Sequence, residues 1–158
     1  MIATKAYNKI TKKGLTIAFA ESMTGGALCA EYIKNPGASR SVKGGLVAYT
    51  QEVKINELNV SKDVISRFGM VSFEVSDQMA IAIQKKMATD IAVSITGNAG
   101  PTLQDNTLKQ EACFTIIYKD QLIHDRIDLS NLTRIKAIQK AVKTIYEQLE
   151  KWIDKNSK

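Results

Sequence analysis

One histidine, two cysteines and one tryptophan are all that the 158 residues hold of those types, and this scarcity narrows the chemistry before any motif is considered. A Ser–His–Asp triad would depend on His124 alone, which sits among polar neighbours on the outward face of a late strand candidate. Cys29 and Cys113 each lie in an apolar stretch. Two thiols cannot build the disulfide framework of a small secreted domain, and neither has the nearby His or Cys that a metal site needs. Both read as small buried hydrophobes. No run of about 18 apolar residues is available to cross a membrane. The N-terminus also lacks an apolar signal core, so a cytoplasmic protein is expected. Repeats and low-complexity linkers are missing too, which predicts one domain over residues 1–158.

What is present suits a globular enzyme. The hydrophobic share of 44% is enough for a core at this length. Lys and Arg number 22 against 16 Asp and Glu, a net charge of +6, which leans towards an anionic partner: a phosphorylated metabolite, a nucleic acid or an acidic surface. The lysines are spread along the chain near predicted helix ends, as on a solvated basic surface. No basic strip interleaved with aromatics favours a nucleic-acid groove.

Periodicity supplies the elements. Ile2, Ala6 and Ile10 recur at helical spacing over residues 2–12, and Gly14 stops the helix. Residues 15–20 read as a strand covered on both faces, followed by a turn at 21–26 and a helix to about Ile33, halted by Asn35-Pro36-Gly37. A second strand is expected at 45–50, a short helix at 51–58 and another from Ser61 to near Gly69. Ser72 is an N-cap for a helix burying Val75, Met79, Ile83 and Met87. A strand at 90–96 ends in Gly97-Asn98-Ala99-Gly100-Pro101, and the polar stretch 102–111 is expected to be a mobile loop. Residues 112–118 and 122–129 predict a hairpin. A last helix from Ser130 or Asn131 is expected to bury Ile135, Ile138, Val142, Ile145, Leu149 and Trp152. Together these predict a three-layer α/β/α sandwich around a mixed β-sheet, with any site in the loops beyond the strand C-termini at 21–26 and 97–101.

Ser22, in Glu21-Ser22-Met23-Thr24-Gly25-Gly26, lies between a buried strand and a helix. Its hydroxyl there would meet free backbone N–H groups and the positive end of the helix dipole, which stabilise an alkoxide or a tetrahedral oxyanion. The alternative from local sequence is that Ser22 or Thr24 caps the helix while Gly25 and Gly26 make a tight turn. The segment is neither a Gly-x-Ser-x-Gly elbow nor a P-loop. A serine nucleophile needs a base, and Lys54, set among Val53, Ile55 and Leu58, would be a neutral one if desolvated. Tyr49 could relay a proton in the same place. The alternatives are a snorkelling surface lysine and a half-buried aromatic.

The segments Ala20-Glu21-Ser22-Met23-Thr24-Gly25-Gly26, Pro36-Gly37-Ala38-Ser39, Gly45-Leu46-Val47-Ala48-Tyr49, Lys54, Gly69-Met70-Val71-Ser72, Met79-Ala80 and Thr96-Gly97-Asn98-Ala99-Gly100-Pro101 follow one another in a fixed order. Taken together, over roughly residues 5–118, they resemble the CinA C-terminal domain family, the nicotinamide mononucleotide deamidases. The resemblance implies a CinA-like α/β/α fold, an oligomer, and an amidohydrolase that converts nicotinamide mononucleotide to nicotinic acid mononucleotide and ammonia in pyridine-nucleotide recycling. It places the catalytic set on Ser22, Tyr49 and Lys54. Substrate contacts fall on Glu21, Thr24, Gly25, Gly26 and Ser39, and on Gly97, Asn98, Ala99 and Gly100 of a loop that closes over the ligand. No metal or organic cofactor is implied. The chain departs from the family pattern at Met23 (usually cysteine), at Asn98 (usually apolar), at Gln110-Glu111-Ala112 (in place of Pro-Val-Gly) and near 130–134, where the usual Gly-Asp-Arg is absent and only Arg134 lies close by. Those departures keep two other expectations open: a nucleotide-binding module without turnover, and an interaction protein tied to competence or DNA damage.

Overall fold

Alternation along the first strand decides how the layers stack. In the computed structural model, which describes residues 1–103 and 107–156, β1 (Ile17–Glu21) sends Ile17 and Phe19 to one face of a sheet and Ala18 and Ala20 to the other. The bulky face carries α1 (Thr4–Lys12), α2 (Ala27–Ile33) and α6 (Arg134–Lys155). The small-residue face receives α3 (Gln51–Leu58), α4 (Lys62–Phe68) and α5 (Phe73–Met87). Small side chains on the sheet let α5 approach closely and bury Val75, Met79, Ala80 and Ile83.

With β2 (Val42–Val47), β3 (Ile91–Gly97), β4 (Glu111–Tyr118) and β5 (Gln121–Asp128), the strands order as β2-β1-β3-β4-β5. β1 is parallel to β2 and β3, whereas β3–β4 and β4–β5 are antiparallel. The three-layer mixed α/β architecture expected from the sequence is therefore the one found. Between β1 and β3 the chain reverses its direction across the sheet, and both strands end at the same edge, the usual place for a ligand crevice. No described helix is long and apolar enough to cross a membrane.

Several boundaries differ from expectation for identifiable reasons. The strand expected at 45–50 occupies Val42–Val47: Val42 already pairs with Ile17, and Thr50 is taken up as the N-cap of α3, accepting from Val53 N. The final helix starts at Arg134, because the Thr133 hydroxyl caps it and Asn131 sits at a φ of 62°. Its buried stripe runs through Ala137, Ala141, Val142, Ile145, Tyr146, Leu149 and Ile153. Ile135 is 71% exposed, and Ile138 and Trp152 are only partly covered. The buried stripe is thus turned away from Ile135, and Tyr146 sets its angle by donating to Leu28 O. Cys113 is buried and Cys29 half-buried, and burial raises both thiol pKa values. Of the polar loop expected at 102–111, residues 104–106 lie outside the described residues; Thr107 is buried and Glu111 already belongs to β4.

Candidate active site

Ser22 extends β1 by one residue: its N–H still donates to Ile95 O at 3.1 Å. The hydroxyl is not a helix cap. Gly26 holds the N-cap position of α2 without a side-chain bond, and the open turn at the start of α2 is filled by Glu21. Glu21 is 1% exposed. Its Oε1 accepts from Leu28 N (2.8 Å) and Thr24 Oγ1 (2.6 Å), and its Oε2 from Cys29 N (3.1 Å). A carboxylate from the strand thus satisfies donors that the helix lacks a cap for. It also takes the positive helix end that the sequence offered to Ser22. Glu21 and Thr24, expected among the substrate contacts, have their polar atoms turned to each other and to α2, behind the cavity wall.

What faces Ser22 is Lys54. Its Nζ donates to Ser22 Oγ at 2.8 Å, to Ala48 O at 2.8 Å and to Tyr49 O at 3.3 Å. It reaches them because Thr50 starts α3 soon after β2, and because Lys54 lies with Leu58 among the buried residues of that helix. The side chain is 1% exposed, and this desolvation lowers the amine from 10.5 to about 8. The three acceptors match the three N–H bonds of an ammonium. After loss of one proton, two N–H bonds serve the carbonyls and the lone pair faces Ser22 Oγ. That is the geometry of a general base on a nucleophile.

The pair opens onto a cavity of about 180 Å³. Ser22 and Met23 form one part of its lining, Gly97, Asn98 and Ala99 another, and Tyr49, Thr102 and Arg134 the rest. Gly97 must be glycine, since a Cβ there would stand 2.6 Å from both Met23 Sδ and Ala112 Cβ. Asn98, where the family pattern is apolar, turns inward. Its Oδ1 accepts from Gly100 N (2.8 Å) and its Nδ2 donates to Thr107 Oγ1 (3.3 Å). Arg134 donates to Gly100 O at 2.8 Å and to the Tyr49 hydroxyl at 2.6 Å. Tyr49, 53% exposed, therefore offers its carbonyl to Lys54 and its ring oxygen to Arg134 at the cavity mouth.

The expected residues are not all gathered here. Gly25 and Gly26 make the turn from Ser22 into α2. Ser39 lies in the exposed 3-10 turn Ala38–Arg40 that leads into β2, at the end of the sheet opposite Ser22, and does not line the cavity. Met23, Thr102, Arg134 and Gln110 were not among the expected site residues. His124 is held elsewhere, stacked on Phe73 and bonded to Asp77 at 3.1 Å. A wider groove of about 750 Å³ between α2 and α6 is lined by lysines and aliphatic chains, without a nucleophile–base pair. Among the described residues no cluster suited to a metal ion occurs.

Known proteins carry the same framework. The CinA C-terminal domain model matches residues 1–153. The chain is 49% identical over 92 residues to a CinA-like protein of Dictyoglomus thermophilum, covering 58% of this chain and 22% of that one. It is 35% identical over 147 residues to a CinA-like protein of Flavobacterium psychrophilum, covering 93% and 35%. The chain thus spans between about a fifth and a third of the length of these curated relatives. The crystal structure of the competence or damage-inducible protein from Enterobacter asburiae superposes with a TM-score of 0.92 at 27% identity, over 96% of each chain. On the family match and on this architecture, the chain belongs to the CinA C-terminal domain family.

Proposed function

We propose that the chain hydrolyses the carboxamide of a pyridine mononucleotide, converting nicotinamide mononucleotide to nicotinic acid mononucleotide and ammonia. The observation that carries this reading is the buried Lys54 amine 2.8 Å from Ser22 Oγ at the edge of a small cavity. Neutral Lys54 takes the Ser22 proton as Oγ attacks the carboxamide carbon. The N–H of Met23, beside Ser22 on the cavity lining and without an acceptor among the described residues, is the donor available to the oxyanion. Lys54 returns its proton to the leaving nitrogen and ammonia departs. Water, deprotonated by the same amine, then cleaves the acyl-enzyme. The Arg134 guanidinium and the Tyr49 hydroxyl at the mouth suit a ligand whose far end is anionic. Tyr49 is assigned to that rim, since its hydroxyl faces Arg134.

The test is ammonia release and nicotinic acid mononucleotide formation from nicotinamide mononucleotide, by the wild type and by Ser22→Ala. Ser22→Ala is expected to fall to background, at least about 10³-fold. Release that survives in Ser22→Ala would sink the mechanism. Tight binding without any release by the wild type would select a nucleotide-binding module instead.

A further inference from the structure

Gln110 stands behind the cavity wall and touches both of the segments that form its outer side. Its Nε2 donates to Ala99 O at 2.8 Å and to Leu132 O at 3.1 Å. Its main-chain carbonyl accepts from Leu129 N at 3.0 Å. The amide fits because residue 100 is glycine: a Cβ there would stand 2.3 Å from Gln110 Nε2. Ala99 belongs to the loop that lines the cavity, and Leu132 leads through Thr133, the cap of α6, to Arg134. Arg134 closes the circuit by donating to Gly100 O.

We infer that Gln110 is a positioning residue, a strut whose two amide protons fix the spacing between the 97–101 loop and the Arg134 end of α6, and so set how the cavity fits its ligand. Gln110 does not line the cavity, so its effect passes through the two carbonyls it holds. Few side chains can do this. Glu has the same shape but only accepts, and would set a carboxylate against two carbonyl oxygens; Met fills the volume and donates nothing. The inference rests on the proposed reaction only for its kinetic readout.

The experiment compares Gln110→Met and Gln110→Glu with the wild type in two measurements. The first is amide hydrogen exchange of residues 97–100. The second is the separate KM and kcat for ammonia release from nicotinamide mononucleotide. Exchange in the loop is expected to accelerate about tenfold, and KM to rise about tenfold with kcat within about threefold, the scale set by losing the two hydrogen bonds of the amide. A general folding defect would instead speed exchange across the sheet and lower kcat through loss of active protein. Unchanged exchange at 97–100 overturns the strut whatever the enzyme turns over. Faster exchange with an unchanged KM overturns its role in ligand fit. If the wild type releases no ammonia, the proposed reaction fails alone, the exchange result still decides the strut, and calorimetric binding of the same mononucleotide replaces KM.

Discussion

On the α3 side of the cavity, groups are placed by burial; on the β3–α6 side they are placed by hydrogen bonds between side chains and loop backbone. Ser22 and Lys54 are 6% and 1% exposed, and the lysine stem lies in the core beneath α3. Opposite them, Tyr49 is 53% exposed, Thr102 and Arg134 are also on the surface, and the wall depends on Asn98, Gln110 and Arg134 each holding backbone atoms of residues 99–100. The difference has a physical logic. The proposed base must be kept from water, because desolvation is what brings the Lys54 amine down to about 8. A wall that receives a polar ligand has to stay wet and adjustable.

Breaking the buried side should cost most. Lys54→Met keeps the volume and removes the base, and ammonia release is expected to fall by about 10²- to 10⁴-fold in steady-state assays. The same variant reads out the burial. The folded pKa of about 8 lies below the unfolded 10.5, so the unfolded chain binds more protons between those values and wild-type stability rises with pH across that window. Below pH 8 the desolvation penalty is present in full. Urea unfolding at pH 7 and pH 10 should therefore show the wild type gaining on Lys54→Met by an amount on the order of 3 kcal/mol; no relative gain would mean that the amine is solvated.

Glu21→Ala tests the buried side without touching the base. It leaves two helix N–H groups and the Thr24 hydroxyl without their acceptor. A loss of about 3 kcal/mol, or roughly 10 °C in thermal unfolding, is expected. On the outer wall the effects should be smaller and appear in KM. Arg134→Lys keeps the charge but cannot reach both Gly100 O and the Tyr49 hydroxyl, and should raise KM about tenfold with little change in melting temperature. Asn98→Ala removes the acceptor of Gly100 N and should cost about 1 kcal/mol in denaturant titration, with KM up by about threefold. If either outer-wall variant lowered kcat as much as Lys54→Met, the two sides would not be separable.

The same contrast explains what could be read from sequence. The layers, the Ser72-capped helix and the hairpin were visible because each rests on a periodic apolar pattern or a capping residue. Ser22 and Lys54 were visible as residue types at strand–helix junctions, although local sequence alone left helix capping and a snorkelling lysine open. The N-cap at Gly26 and the 1% exposure of Lys54 remove those alternatives. Arg134 stands out in the sequence only as the arginine nearest the missing Gly-Asp-Arg, which assigns it no place in the site; the Thr133 cap, one residue before it, is the signal that fixes where it sits. Gln110 is marked in the sequence only as a departure from the family pattern, and its contacts are not legible there, since its partners are main-chain carbonyls that any sequence would present. The turn that carries Ser39 lies at the opposite end of the sheet, a placement its motif does not convey.

The central claim is that burial makes Lys54 the base for Ser22. The most direct measurement is kcat/KM for ammonia release from nicotinamide mononucleotide between pH 6 and 10. A rise of about tenfold per pH unit that levels off near pH 8 is predicted, since the amine must lose its proton before it can act. A profile that is flat or falling through that interval would contradict it.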